Sequence, residues 1–147
     1  MRRRLIFSAV LVLAFALGCG GILDDPKDIA LKVDAPLRVR MGEGFQVVVT
    51  VTNSSSEAQT LNSLDIADAY IDGIAITSSV PPYSEASHVP IDNSWSHRYM
   101  LEIPPGGQVQ VTLNASALKA GDWAGDIDAC INNDVSFLSM PVRTFVE

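Results

Sequence analysis

The residues Phe45-Gln46-Val47-Val48-Val49-Thr50-Val51-Thr52 alternate with a period of two and carry β-branched side chains on both faces. Such a run loses side-chain freedom in a helix and packs well on a pleated surface, so it reads as a strand inside a sheet. Phe45, Val47, Val49 and Val51 share one face, and Asn53-Ser54-Ser55-Ser56-Glu57 ends the run with turn-forming residues. The rest of the chain repeats the theme. Ile29 to Arg40 alternates through Leu31, Val33, Leu37 and Val39, and Pro36 within it predicts an edge strand or a switch between sheets. Thr60 to Ile66 and Ala69 to Ile76 read as two short strands, with a helical turn through Leu61, Leu64, Ala67 and Tyr70 as the alternative. Ser78 to Asn93, holding Pro81, Pro82 and Pro90, reads as a long loop. Ser94 to Ile103 puts Trp95, His97, Tyr99, Leu101 and Ile103 on one presumed inward face. Pro104-Pro105-Gly106-Gly107 makes a turn, Gln108 to Ala115 returns with Val109, Val111 and Leu113 inward, and Val135 to Val146 is the last strand. Seven or eight strands separated by turn signals predict an all-β, antiparallel sandwich over residues 29–147.

The segment from Leu118 to Ile131 narrows the topology. Gly121 followed by Trp123 resembles the corner before the penultimate strand of immunoglobulin-like sandwiches, where a glycine lets the chain cross between sheets and an aromatic locks the crossing. Those domains often carry tyrosine where Trp123 stands, so the resemblance implies the packing role of the aromatic without the tyrosine hydroxyl bond. Gly42-Glu43-Gly44, Val51-Thr52-Asn53, Pro104-Pro105-Gly106-Gly107-Gln108 and the Gly121 corner together look like bacterial extracytoplasmic immunoglobulin-like domains of the CARDB type, over about residues 30 to 146. That architecture is shared by adhesins, stalk modules and accessory domains, so the resemblance implies no catalytic residues.

Upstream, Arg2, Arg3 and Arg4 precede the uncharged run Leu5 to Leu17, the layout of a secretory signal over residues 1–18. As a helix those 13 residues cover about 20 Å of a ~30 Å hydrocarbon layer, and Gly18, Gly20 and Gly21 end the run. Ala16-Leu17-Gly18-Cys19 resembles a bacterial lipobox, although Ala16 stands where leucine is usual. The resemblance implies that Cys19 receives diacylglycerol and anchors the mature chain to a membrane; cleavage near Gly18 without lipidation is the alternative. Gly20, rather than aspartate, after the cysteine implies the outer membrane or cell surface. Residues 19–28 then form a short polar tether.

The charge of −7 comes from ten basic and 17 acidic residues; loss of the three signal arginines leaves seven basic residues and a net of −10. Nucleic acid is disfavoured as a partner by that sign. His88 and His97 are the only histidines. No G-x-S-x-G elbow accompanies them, so a Ser-His-Asp device is not expected; His88 reads as a solvated loop residue and His97 as a core or rim histidine. Cys130, His97, Met100 and Met140 offer soft ligands, but no histidine follows Cys130 as a blue-copper site requires. Cys130 itself reads as a small core residue or a surface thiol. The acidic residues are the remaining cluster: Asp122, Asp126 and Asp128 are weak calcium candidates, with Asp65, Asp68, Asp72 and Asp134 elsewhere in the sequence and a solvated strand face as the default. Asn53-Ser54-Ser55 and Asn114-Ala115-Ser116 match the glycosylation sequon, a coincidence in the bacterial cell that the lipobox resemblance implies.

These features predict a non-catalytic, membrane-tethered binding or structural module without a cofactor and with a protein partner. The alternative is an accessory lipoprotein of an envelope complex, binding calcium or its partner through the acidic face. A long exposed loop over Ser78 to Asn93 favours an external ligand, whereas a bare edge strand favours a protein neighbour.

Overall fold

The computed structural model describes residues 25–147. The signal segment and Cys19 lie outside the described residues. Ten strands and one helical turn follow in order: β1 (Ile29–Asp34), β2 (Arg38–Val39), β3 (Gly44–Asn53), β4 (Gln59–Ala67), α1 (Asp68–Ile71), β5 (Ile74–Val80), β6 (Glu85–Val89), β7 (Ser94–Ile103), β8 (Gln108–Ala117), β9 (Gly121–Ile131) and β10 (Phe137–Val146). They form a four-stranded sheet in the order β1-β3-β8-β5 and a six-stranded sheet in the order β2-β10-β9-β4-β7-β6. Every pairing is antiparallel except that of β2 with β10.

The core lies between the sheets. Val47, Val49 and Val51 of β3 are fully enclosed, facing a layer that includes Leu64, Ile66 and Ile127 of the six-stranded sheet. Each such side chain removed from water stabilises the fold by roughly 1.5–3 kcal/mol. Pro36 acts as the sheet switch that its position predicts, since β1 before it belongs to one sheet and β2 after it to the other. The crossing is pinned from inside: Tyr70 Oη and Thr144 Oγ1 are 3.0 Å apart, and Thr144 Oγ1 donates to the Pro36 carbonyl at 3.0 Å. Tyr70 is fully buried, and its hydroxyl supplies the proton that leaves the threonine free to donate onward.

Three expectations are corrected, the first being the strand count, which is ten rather than seven or eight. The segment Ala69 to Ile76 is not one strand, because α1 occupies its first residues and β5 begins at Ile74. Ser78 to Asn93 is not a loop; β5 runs on to Val80, and β6 pairs with β7 from Glu85↔Arg98 to Val89↔Ser94. β6 lies at the sheet's edge, where all five of its residues are exposed or half-buried, so no apolar alternation marks it. Its position also explains Trp95, which shares the inward side with His97 and Tyr99 yet is 39% exposed. Its neighbour β6 is exposed or half-buried on both faces.

At the Gly121 corner the glycine has φ +145°, and the Trp123 indole N–H donates to the Lys119 carbonyl at 2.8 Å. The corner therefore has a polar lock as well as the expected packing role, supplied by the indole N–H. Against β9, Asn62 forms a bulge in β4 between Leu61 and Ser63. The extra residue reverses the alternation, so that Leu61 and Leu64 both point inward, and Asn62 is free to bond the β9–β10 turn.

Candidate functional site

On the outer face of the six-stranded sheet the register builds a row across neighbouring strands. Ser139 of β10 stands opposite Asp128 of β9, Asp128 opposite Asp65 of β4, and Asp65 opposite Ser96 of β7. Directly opposed residues of this kind hold their Cβ atoms about 4.5–5.5 Å apart, a distance at which two carboxylates repel. Two hairpin turns border the row. The β6–β7 turn brings in Asp92, and the β9–β10 turn brings in Asp134. With Ser94, Cys130 and Phe137 these carboxylates enclose a cavity of about 220 Å³.

The polar groups around it are unevenly satisfied. The Ser139 hydroxyl donates to Asp128 Oδ1 at 2.5 Å, and Cys130 Sγ donates to Asp65 Oδ2 at 3.5 Å. Asn62 Nδ2 donates to Asp134 Oδ1 at 3.1 Å, and Arg98 Nη2 reaches Asp134 Oδ2 at 3.5 Å. By contrast, Asp65 Oδ1 and Ser94 Oγ are buried with no partner, although Ser94 is only 5% exposed. Burial raises the Asp128 carboxyl above its ordinary value; the charges of Asp126, Asp65 and Asp92 add to the shift, and the Ser139 hydrogen bond opposes it. Burial likewise pushes the Cys130 thiol up to about 12, so it is a neutral thiol at physiological pH.

Three of these carboxylates, Asp65, Asp128 and Asp134, stand among the acidic residues that the sequence singles out; Asp92 does not, because it sits in a stretch that reads as a loop, and the grouping of the four is not legible there. Asp122, Asp126 and Asp128 do share the outer face of β9. Six residues of extended chain, however, place Asp122 and Asp128 about 20 Å apart. Asp122 pairs instead with Arg143, whose Nε donates to Oδ1 at 2.8 Å, and Asp126 is exposed. Among the described residues, no group of three or more His, Cys, Asp and Glu side chains could hold a metal ion. Asp68 pairs with His88, and Asp72 is the residue that closes α1.

The histidines differ from expectation in one case. His88 belongs to β6, where its Nε2 lies 2.9 Å from Asp68 Oδ2 and its ring tilts against Trp95. His97 is a core histidine, 4% exposed, with the Tyr83 ring edge-on at 5.0 Å and its Nδ1 unpartnered. The soft ligands stay apart: Met100 is exposed on β7, Met140 packs against the core, and Cys130 faces the opposite side of the sheet.

No family model matches the chain, and no curated protein matches it significantly in sequence. Its similarity is to solved structures. AvmM, which catalyses macrocyclization in alchivemycin A biosynthesis, is 8% identical with a TM-score of 0.56, over 84% of this chain and 91% of that one. A point mutant of Salmonella alpha-2-macroglobulin is 18% identical with a TM-score of 0.50, over 81% of this chain. This chain spans only 7% of that alpha-2-macroglobulin's length. At such identities the likeness is one of fold, and the chain is an immunoglobulin-like β-sandwich.

Proposed function

We propose that this chain is a non-catalytic binding module of the bacterial cell envelope, exported, tethered to a membrane through acylated Cys19, and dedicated to a protein partner. The observation that carries the reading is the β6–β7 hairpin. It presents a bare edge strand where a long ligand-binding loop was expected, and its turn borders the acidic cavity. A free sheet edge and an acidic recess suit a protein neighbour better than a small external ligand. The CARDB-type resemblance, the lipobox and Gly20 support an outer-membrane or cell-surface location, and the −10 mature charge disfavours nucleic acid.

The test is fractionation of cells that make the wild type and Cys19→Ala. The wild type should sediment with membranes, with its N-terminus at an acylated Cys19, and the variant should be soluble or keep its signal segment. A wild type that is fully soluble, with its N-terminus elsewhere, would reject the tether.

A further inference from the structure

The cavity on the outer sheet face is more than a cluster of acids. It holds two buried polar atoms without partners, Asp65 Oδ1 and Ser94 Oγ, on adjoining strands of one face. Burying such an atom unbonded is costly, and a ligand carrying hydrogen-bond donors recovers that cost. Four carboxylates line the site, and the described cation that reaches them is Arg98, at Asp134 on one side. The site therefore wants positive charge and N–H donors together.

Its dimensions select the kind of cation. A volume of about 220 Å³ is several times the ~30 Å³ share of one water. The carboxylates do not converge on a common point, as the lack of any metal-holding group among the described residues attests. Phe137 also lines the cavity, and an aromatic side chain offers nothing to a metal ion but can stack on a flat organic cation. A guanidinium meets all three conditions, being planar, carrying five donors in a fixed fork, and stacking on aromatic rings, whereas an ammonium concentrates its charge at one point.

We infer that the cavity bounded by Asp65, Asp128, Asp92 and Ser94 receives an arginine side chain of the protein partner. The inference deepens the binding-module reading by naming what the module grips, and it is independent of how the chain is anchored.

The experiment titrates the purified full chain with Nα-acetyl-L-arginine amide, followed by amide chemical shifts. The neutral control is Nα-acetyl-L-citrulline amide, which has the same shape without the charge. The arginine probe should shift Ser94, Asp128 and Phe137 saturably, and the citrulline probe should bind at least about tenfold more weakly. Asp128→Asn and Asp92→Asn should each weaken the arginine probe about fivefold or more, while Asp126→Asn, on the same strand but outside the cavity, should change it less than about twofold. Asp92 lies in a turn, so its variant tests the site even if Asp128→Asn perturbs folding. Equal binding of the two probes, equal shifts from sodium chloride at matched ionic strength, or saturation of the same resonances by calcium chloride at lower concentration would overturn the inference. None of those results bears on the fractionation of Cys19→Ala, so the two readings fail separately.

Discussion

A methyl group built on Gly73 would sit 1.9 Å from Cε2 of Trp123, so the indole ring lies directly against the backbone between α1 and β5. The indole also touches Gly121, where a Cβ would be 3.4 Å from the ring, and its N–H is tied to Lys119. Trp123 thus fills a slot that two glycines leave open, at the point where the chain enters β9.

Because the slot and the ring are made for each other, their substitutions should couple. Trp123→Ala removes a half-buried aromatic and a hydrogen bond, and should cost about 2–3 kcal/mol, below the ~3–5 of a fully enclosed ring. Gly73→Ala should cost about 1–3 kcal/mol by pushing the ring off its bond with Lys119. In the double variant the added methyl has no ring to displace, so the measured loss should fall short of the sum by at least about 0.5 kcal/mol. Strict additivity in denaturant titrations would show that the ring does not rest on Gly73 in solution.

Asp128 sets a pH dependence of definite sign. Its carboxyl holds its proton to a higher pH when folded than when unfolded, because burial and the charges of Asp126, Asp65 and Asp92 disfavour the anion. The stability this provides is complete below the ordinary carboxylate range and is lost as pH rises through the raised value. Asp128→Asn cannot ionise. It should match the wild type near pH ~3.5 and exceed it at pH 7, by roughly 0.5–1 kcal/mol after solvent screening. Melting curves at the two pH values check this, and an equal difference at both would contradict it.

His97 runs the other way. Burial holds the ring below its ordinary 6.5, with carbonyls of Leu64 and Trp95 and the charge of Asp65 opposing. The unfolded chain therefore takes up a proton near pH 6.5 that the folded chain still refuses, and stability is lost as pH falls from there toward the folded value. Between pH 7 and 5 the wild type should lose more melting temperature than His97→Gln. Parallel slopes would mean that the ring charges freely in the folded state.

For Cys130 the expectation concerns reactivity. A buried thiol pushed up to about 12 and hydrogen-bonded to Asp65 is protonated at pH 8. Iodoacetamide, followed peptide by peptide, should leave Cys130 unmodified in the folded chain and alkylate it in urea, with a rate difference of at least about 100-fold. Rapid labelling without denaturant would place the thiol at the surface.

The elements the sequence announces are those whose side chains alternate against a covered face. β7 is legible to the residue at both ends, and Pro36 marks the change of sheet because a strand interior rejects proline. β6 is silent, since an edge strand exposed or half-buried on both faces has no reason to alternate. The cavity is silent for a different reason. Asp65 and Asp128 meet through strand register, and that register depends on the Asn62 bulge, which no local residue pattern displays. Similarity of type, acid beside acid along β9, points to Asp122 and Asp126, whereas proximity across strands joins Asp128 to Asp65.

The sheet switch at Pro36 also fixes how the domain carries tension. The chain enters beside Asn53, where the Ser54 N–H bonds the Asp28 carbonyl, and β10 ends at the opposite pole, where the Met41 N–H bonds the Glu147 carbonyl. A pull between Ile29 and Val146 therefore runs along the strands, while the inter-strand hydrogen bonds lie perpendicular to it. The six pairs from Ile29↔Asn53 to Asp34↔Val48 must then slip together under shear, rather than open singly in the manner of a zip. A domain strung this way resists stretching along its length far better than peeling from its side.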